Sequence, residues 1–529
     1  MLSASYCTGP SLLFVVLCLT VSLVRADRKH CVHLYRNSNT DQNLSDKYLS
    51  DERYWIFFCR SNDTDQNLPS KDFSEVVNQI QTLGANVVTK SKWLYAVSVY
   101  ATEEQLLAIK AQPYVKEVLP VRSFSYAHTG EGASTVDERE TINDQREQIN
   151  ADYLEKKRLT GKGVKIGVID GNFYQADQEE MLQHLFEAGR VKQWRDFVDP
   201  ESLHFFDNAQ HSLDNHGTLV LKRLAGVANG EVLGLAPEAE YYLARTDHTY
   251  REFRGEEDHF VAALEWMDSL GVRLINCSLG YSYDFDDPQE DYGPAEMDGE
   301  STVISRACKY ASERGMVIIT SVGNEGDDEW RYVTAPADAK DVISVGAIGR
   351  SGSKQEFSGV GPESLHYLKP DVSCYEPLGT SFSAPVITGL IACAMQEQPE
   401  VPVNFIKENL LKSSQLYPYC NNYVGCGAPD SKKFIRIMNG RRVKYSKVKS
   451  FSSADSCFTF DRNTKRLTSS NDTKVPVFHL KDSGYVSAQT FITSVSDKVE
   501  ICQPSDTSDH TLFRHKNVLY KIDWTSGHK

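Results

Sequence analysis

Apolar and polar positions change rhythm several times along this chain. A short apolar run, SLLFVVLCLTVSL from Ser11 to Leu23, comes first and gives way to polar sequence. From Tyr54 to about Tyr126 strand-like and helix-like patterns alternate. YWIFFC reads as a strand. SEVVNQIQTLG sets Val76, Val77 and Ile80 at helical spacing and stops at Gly84. WLYAVSVY alternates as a strand, EEQLLAIKAQ is a second amphipathic helix ended by Pro113, and VKEVLPV is a further strand. The order predicts a small α+β unit, strand–helix–strand–strand–helix–strand. AHTGEGASTVDERETINDQRE follows with few apolar residues and predicts an exposed linker, carrying this first region (27–140) to residue 140.

From about Gly161 the runs become nearly continuous. VKIGVID, AEYYLARTD, VRLINCSLG, GMVIITSVGN and DVISVGA read as buried strands separated by helices. That pattern predicts a parallel sheet covered by helices on both faces, in a domain spanning 141–440. Beyond about Gly440, short Thr, Ser, Val and Phe runs broken by turn residues predict a small β-rich domain over 441–529. One internal repeat, RNSNTDQNLSDK and RSNDTDQNLPSK, is polar and too short for a solenoid.

The N-terminal run is too short to span a membrane and ends at VRA, Val24 to Ala26, which suits signal peptidase. We read residues 1–26 as a signal peptide and the protein as secreted, into the extracellular space or a lysosome-like compartment, with no stable membrane insertion. The formal charge of −15 argues against nucleic acid as the main partner. None of the twelve cysteines shows C-x-x-C spacing. Cys420 and Cys426 are close enough for a loop disulfide, and Cys457 and Cys502, alone in the tail, make a natural pair. Cys277 and Cys393 lie in apolar contexts and read as free core thiols. Asn43, Asn62 and Asn471 open glycosylation sequons in polar surroundings.

The candidate chemistry lies in the α/β region. LGTSFSAPVITGLIACAM runs from a glycine turn into an apolar helix, with Ser381 at its mouth. Ser381 fits an N-cap, or a nucleophile at the positive end of the helix dipole. VKIGVID ends a buried strand on Asp170, at the carboxyl end where parallel sheets place ligands. His216 opens another helix in DNHGTLVLKRL, and TSVGNEG ends a strand on Asn324. Each residue alone suits a cap, turn or structural role. Together they meet one requirement. A serine hydroxyl needs a base, the base needs an acid to hold its tautomer, and the developing oxyanion needs preplaced donors.

These residues resemble the subtilisin-like serine proteases, the subtilases, over roughly residues 141–440. The order Asp170, His216, Ser381 is theirs, and HGT at His216 and GTSFSAP at Gly379 match their motifs. The resemblance implies a subtilisin-like α/β fold and a serine endopeptidase with Asp170, His216 and Ser381 as triad. It assigns the oxyanion hole to Asn324, the edge that pairs with substrate backbone to Ser278, Leu279 and Gly280, and the floor of the pocket before the cut to Thr334. Asp327, Asp328 and Glu329 lie near that floor in sequence, which leans the preference towards polar or basic side chains. The unit at 54–126 becomes a propeptide, an intramolecular inhibitor released by a self-made cut between Ser123 and Glu140. Structural calcium is common in the family, but no ligand string stands out, and the chemistry needs no metal or organic cofactor. Asn172 stands where the family has glycine and would supply glycine's backbone conformation, and Leu219 replaces a common second histidine. The competing reading is an inactive protease fold that captures peptides. An α/β-hydrolase esterase would need G-x-S-x-G and the order Ser, Asp, His, and has neither.

Overall fold

The structure is a computed structural model and describes residues 52–60, 72–121, 137–207, 215–247, 256–283, 291–453, 457–461, 475–481, 484–492, 498–503, 509–515 and 518–524. The expected signal peptide, the sequons at Asn43, Asn62 and Asn471, and residues 122–136 of the linker lie outside them.

YWIFFC is apolar throughout because the strand Glu52–Phe58 is covered on both sides. Alternate residues face opposite ways. Ile56 and Phe58 pack with Val76, Val77, Ile80, Leu106 and Ile109 of the helices Phe73–Thr82 and Glu103–Lys110. Trp55 and Phe57 instead join Phe260, Leu264, Ile304 and Ala307 of the neighbouring α/β unit. The sheet is antiparallel, ordered Asn86–Ser91, Ala96–Ala101, Glu52–Phe58, Val115–Pro120.

The α/β unit is built on a seven-stranded parallel sheet. Its order is Val372–Tyr375, Ile343–Ile348, Val317–Ser321, Leu274–Cys277, Lys165–Asp170, Glu240–Arg245, Val191–Asp196. Three adjacent strands therefore end, at the same edge, next to Asp170, Ser278 and Asn324. One face is covered by the helices His216–Ala225 and Ala384–Glu397, the other by Glu256–Ser269 and Val303–Glu313.

The tail forms a five-stranded sheet, in the order Lys447–Ser453, Val518–Trp524, His510–His515, Val475–Leu480, Val486–Ile492. Phe478, Leu480, Leu512 and Leu519 pack it onto Ile348, Leu416 and Val424. Cys457–Cys502 joins the two-stranded pair beside it, and Cys420–Cys426 closes a loop. Cys277 and Cys393 are free and buried, as are Cys308 and Cys374.

One expectation is corrected. The linker was expected to reach residue 140. Instead Asp137 caps a helix, Glu138–Gln148, by accepting from the backbone N–H of Arg139 and Glu140. Its Thr141, Ile142 and Gln145 are buried. The segment reads as polar because only one narrow stripe of it faces the core.

Candidate active site

Asp170 is the last residue of its strand and fully buried, and Oδ1 lies 2.6 Å from His216 Nδ1. The same oxygen accepts the N–H of Gly171 at 2.9 Å. His216 starts its helix, and the next residue explains HGT. Gly217 donates its N–H to the Asn172 carbonyl at 2.9 Å, and a Cβ there would sit 2.8 Å from that oxygen and 2.9 Å from the Phe173 ring. The glycine lets the histidine helix close on the aspartate strand. Asn172 does not take the left-handed backbone conformation expected of it. It serves through its carbonyl instead. Leu219 is partly buried and packs against the core, leaving His216 as the imidazole on this helix that meets Asp170.

Ser381 is not the helix cap. It sits in a 3-10 turn, Thr380–Phe382, and Ser383 holds the N-cap position before Ala384–Glu397, without a side-chain cap bond. Pro385 falls in the first turn, as its missing N–H allows. Ser381 Oγ donates to the Ser278 carbonyl at 3.1 Å, and Ser278 Oγ returns a bond to the Ser381 carbonyl at 2.8 Å. Asn324 Oδ1 accepts the N–H and the hydroxyl of Thr380 at 2.8 and 3.0 Å. Both bonds hold the Asn324 side chain against the serine turn through its oxygen, which leaves the amide N–H₂ as its donor group.

Ser278, Leu279 and Gly280 continue the strand Leu274–Cys277. Tyr281 and Ala335 exchange backbone bonds of 2.9 and 3.0 Å, which brings this edge beside Thr334. A Cβ on Gly280 would meet Thr334 Oγ1 at 2.2 Å, and one on Gly323 would meet Thr334 Cγ2 at 2.7 Å. Both glycines leave room for that side chain. The Thr334 hydroxyl is buried and has no hydrogen-bond partner among the described residues.

A further acid, one that sequence reasoning did not single out, lies beside Thr334. Asp327, Asp328 and Glu329 are exposed. Glu325 lies closer in, with Oε2 buried and 2.4 Å from the Cβ position of Gly323. Burial lifts its carboxyl to about 7, with Asp328 and Asp327 adding and the N–H groups of Glu325 and Asn324 opposing. The signal was the E of GNEG, read only for its asparagine.

The N-terminal unit docks on the helices Glu256–Ser269 and Val303–Glu313. Arg53 pairs with the fully buried Asp258, Ser91 Oγ donates to Glu265 at 2.5 Å, and Arg306 pairs with Glu117 at 2.6 Å. Burial pushes the thiols of Cys277 and Cys393 up to about 12, so neither competes as a nucleophile. Among the described residues no group of three or more His, Cys, Asp or Glu side chains is arranged to hold a metal ion.

A hydroxyl on a glycine-bordered turn, an imidazole held by a buried carboxylate, and an anchored amide are the parts of acyl transfer. Comparison with known proteins agrees. Residues 161–427 match the Subtilase family, and residues 54–135 match a Peptidase S8 propeptide domain described from Bacteroidota. Subtilisin DY of Bacillus licheniformis is 27% identical over 273 residues, 50% of this chain and 87% of that protein. Subtilisin NAT of Bacillus subtilis subsp. natto is 28% identical over 292 residues, 53% and 68% respectively. Among solved structures, fervidolysin from Fervidobacterium pennivorans superposes with a TM-score of 0.54 at 16% identity, covering 88% of this chain and 70% of that one. The epidermin leader peptide processing serine protease of Staphylococcus aureus gives 0.52 at 16%, covering 74% and 100%. At that identity the structures speak for the fold.

Proposed function

Because this chain belongs to the subtilase family of serine endopeptidases and carries a propeptide domain, we propose that Asp170, His216 and Ser381 are its triad and Asn324 its oxyanion donor. The observation that carries this reading is the buried 2.6 Å contact of Asp170 with His216 Nδ1. It fixes the tautomer that leaves Nε2 to take a proton. In acylation the Ser381 hydroxyl leaves the Ser278 carbonyl and gives its proton to His216. Oγ then bonds the scissile carbonyl carbon, and the resulting oxyanion is met by the Asn324 amide and a backbone N–H. Collapse breaks the C–N bond, and the leaving amine takes the proton from His216. Water repeats the sequence on the acyl-enzyme.

The substrate backbone lies along Ser278, Leu279 and Gly280. The side chain before the cut points to Thr334 and Glu325, a hydroxyl and an acid that together favour polar or basic groups. The chain is made for the secretory route, with residues 1–26 removed, the disulfides Cys420–Cys426 and Cys457–Cys502 formed there, and sugars on Asn43, Asn62 and Asn471. Among the described residues no helix is long and apolar enough to cross a membrane. The N-terminal unit stays docked as an inhibitor until it is released.

Fluorophosphonate labelling and peptide hydrolysis test the triad. Ser381→Ala should leave the fold intact, abolish labelling, and cost about 10⁶ in kcat, the figure known for subtilisin. Activity within about tenfold of the parent ends the assignment. A parent that folds, has released its N-terminal unit and still does not label is the inactive peptide binder instead.

A further inference from the structure

Residues 136–160 lie between the two family matches, and neither covers them. Their first helix, Glu138–Gln148, touches both halves of the catalytic pair. Glu138 pairs with Lys222 at 2.6 Å and with Arg223 at 3.2 Å, both on the helix that begins at His216. Roughly two turns along, Gln145 is 1% exposed and donates from Nε2 to two groups, Glu376 Oε2 at 2.8 Å and the Phe382 carbonyl at 3.2 Å. Glu376 Oε1 in turn accepts the N–H of Leu378 at 2.9 Å. Gln145 thus holds both ends of the segment Glu376–Phe382, which carries Ser381. The two halves also meet directly. The Arg223 guanidinium lies 5.4 Å from the centre of the Phe382 ring, and that ring lies 5.4 Å from the His216 ring.

We propose that Gln145 and Glu138 are positioning residues, which set the serine turn against the histidine helix at the separation that proton transfer requires. The inference rests on the triad assignment above. Packing alone does not explain Gln145. Its Oε1 is buried with no hydrogen-bond partner among the described residues, and an orphaned buried polar atom costs stability that an apolar side chain would not. What the amide adds is a donor pair that spans the nucleophile's turn. A shift of about 1 Å in such a turn can cost about a hundredfold in rate.

The experiment compares Gln145→Met, Gln145→Leu, Gln145→Lys and the exposed control Asn143→Ala, each expressed as the full chain and measured after release of the N-terminal unit. Melting temperature, kcat, KM and the rate of fluorophosphonate labelling per folded molecule are measured for each. Met and Leu keep the volume and lose both donors. They should lower kcat and the labelling rate together by about tenfold to a hundredfold, with KM and melting temperature close to the parent. Lys keeps a donor for both acceptors and should hold most of the activity, as should Asn143→Ala. Met or Leu variants that label at the parental rate overturn the proposal. So does a Lys variant as slow as Leu, because the donors would then not be what matters. If Leu does not fold, Met against Lys gives the same decision. Glu138→Ala should lower labelling in the same direction, and a parental rate there removes Glu138 from the device. A Ser381→Ala protein that still cleaves refutes the triad itself. A dead Ser381→Ala beside a parental Gln145→Met refutes only this inference.

Discussion

Replacing Glu376 with glutamine should stabilise the folded chain at alkaline pH and leave it nearly unchanged in acid. Glu376 is fully buried beneath the serine turn. Burial raises its carboxyl from 4.5 to about 7, against Arg223, the Leu378 N–H and the Gln145 amide, which favour the charged form. The unfolded chain gives up this proton near 4.5, whereas the folded chain holds it to about 7. Between those values folding takes up a proton, so stability falls as the pH rises, and above about 7 the whole penalty is present. At 1.36 kcal/mol per pH unit, the interval amounts to about 3 kcal/mol. Glutamine mimics the protonated carboxyl and carries no such penalty. Gln145 can turn its amide to present its unpartnered Oε1 to the new N–H₂. The assay is urea unfolding of Ser381→Ala with and without Glu376→Gln, from about pH 4 to about pH 8, the first change preventing self-digestion. Glu325 and Asp338, whose carboxyls are also raised by burial, affect both proteins alike and drop out of the difference. A difference that stays flat across the window, or one that grows towards acid, would falsify the argument.

Asn324→Ala should lower kcat by about 10² to 10³ with little change in KM, a magnitude that comes from the corresponding donor in subtilisin. Glu325→Gln should lower kcat/KM for peptides with Lys or Arg before the cut by roughly ten- to a hundredfold at alkaline pH, while peptides with uncharged side chains change little. The parent's preference for basic residues should climb as the pH passes about 7, where Glu325 ionises, and the variant's should not. A library profile that is dominated by Phe and Trp, or a preference that ignores pH in the parent, would remove Glu325 from the pocket.

The central strands were legible because burial on both faces leaves a continuous Val and Ile run, as in VKIGVID. The two outer strands of the α/β sheet were not. Val191–Asp196 exposes four of its six residues, so its pattern is that of a polar loop. Val372–Tyr375 is buried but has only four residues, too few to show a period. Asn86–Ser91 was anticipated in the strand order but not located, since this edge strand alternates half-buried and exposed positions without bulky side chains. At the candidate site, Asp170, His216, Ser381 and Asn324 stood out in the sequence because chemistry restricts their types and order. Thr334 was placed by the motif around it. Glu325 and Gln145 escaped notice because their meaning comes from contacts that close in space. Gln145 meets a residue 231 positions away, and no local pattern carries that.

The same helix should set a limit on the proposed maturation cut. The propeptide's last strand ends at Pro120, and Val121 returns its N–H to the Arg53 carbonyl at 3.0 Å, so the chain is anchored on the inhibitor side to that point. On the enzyme side Asp137 caps the helix Glu138–Gln148. A cut after Asp137 would remove the cap, at about 1 kcal/mol. A cut after Glu138 would also take that carboxylate from Arg223, which is 4% exposed, and leave Lys222 to Glu179 at 3.7 Å, at about 1 to 3 kcal/mol more. The window expected from sequence, Ser123 to Glu140, therefore narrows at its far end, and the mature chain should begin at or before Asp137. If the chain cuts itself, Ser381→Ala should accumulate uncut in a protease-poor host, while the parent yields a mature N-terminus upstream of Glu138. Identical processed termini in both proteins would assign the cut to another protease. A fully active enzyme that begins beyond Glu140 would show that neither the cap nor the Glu138 pairs are needed, and the argument for this limit would fall with them.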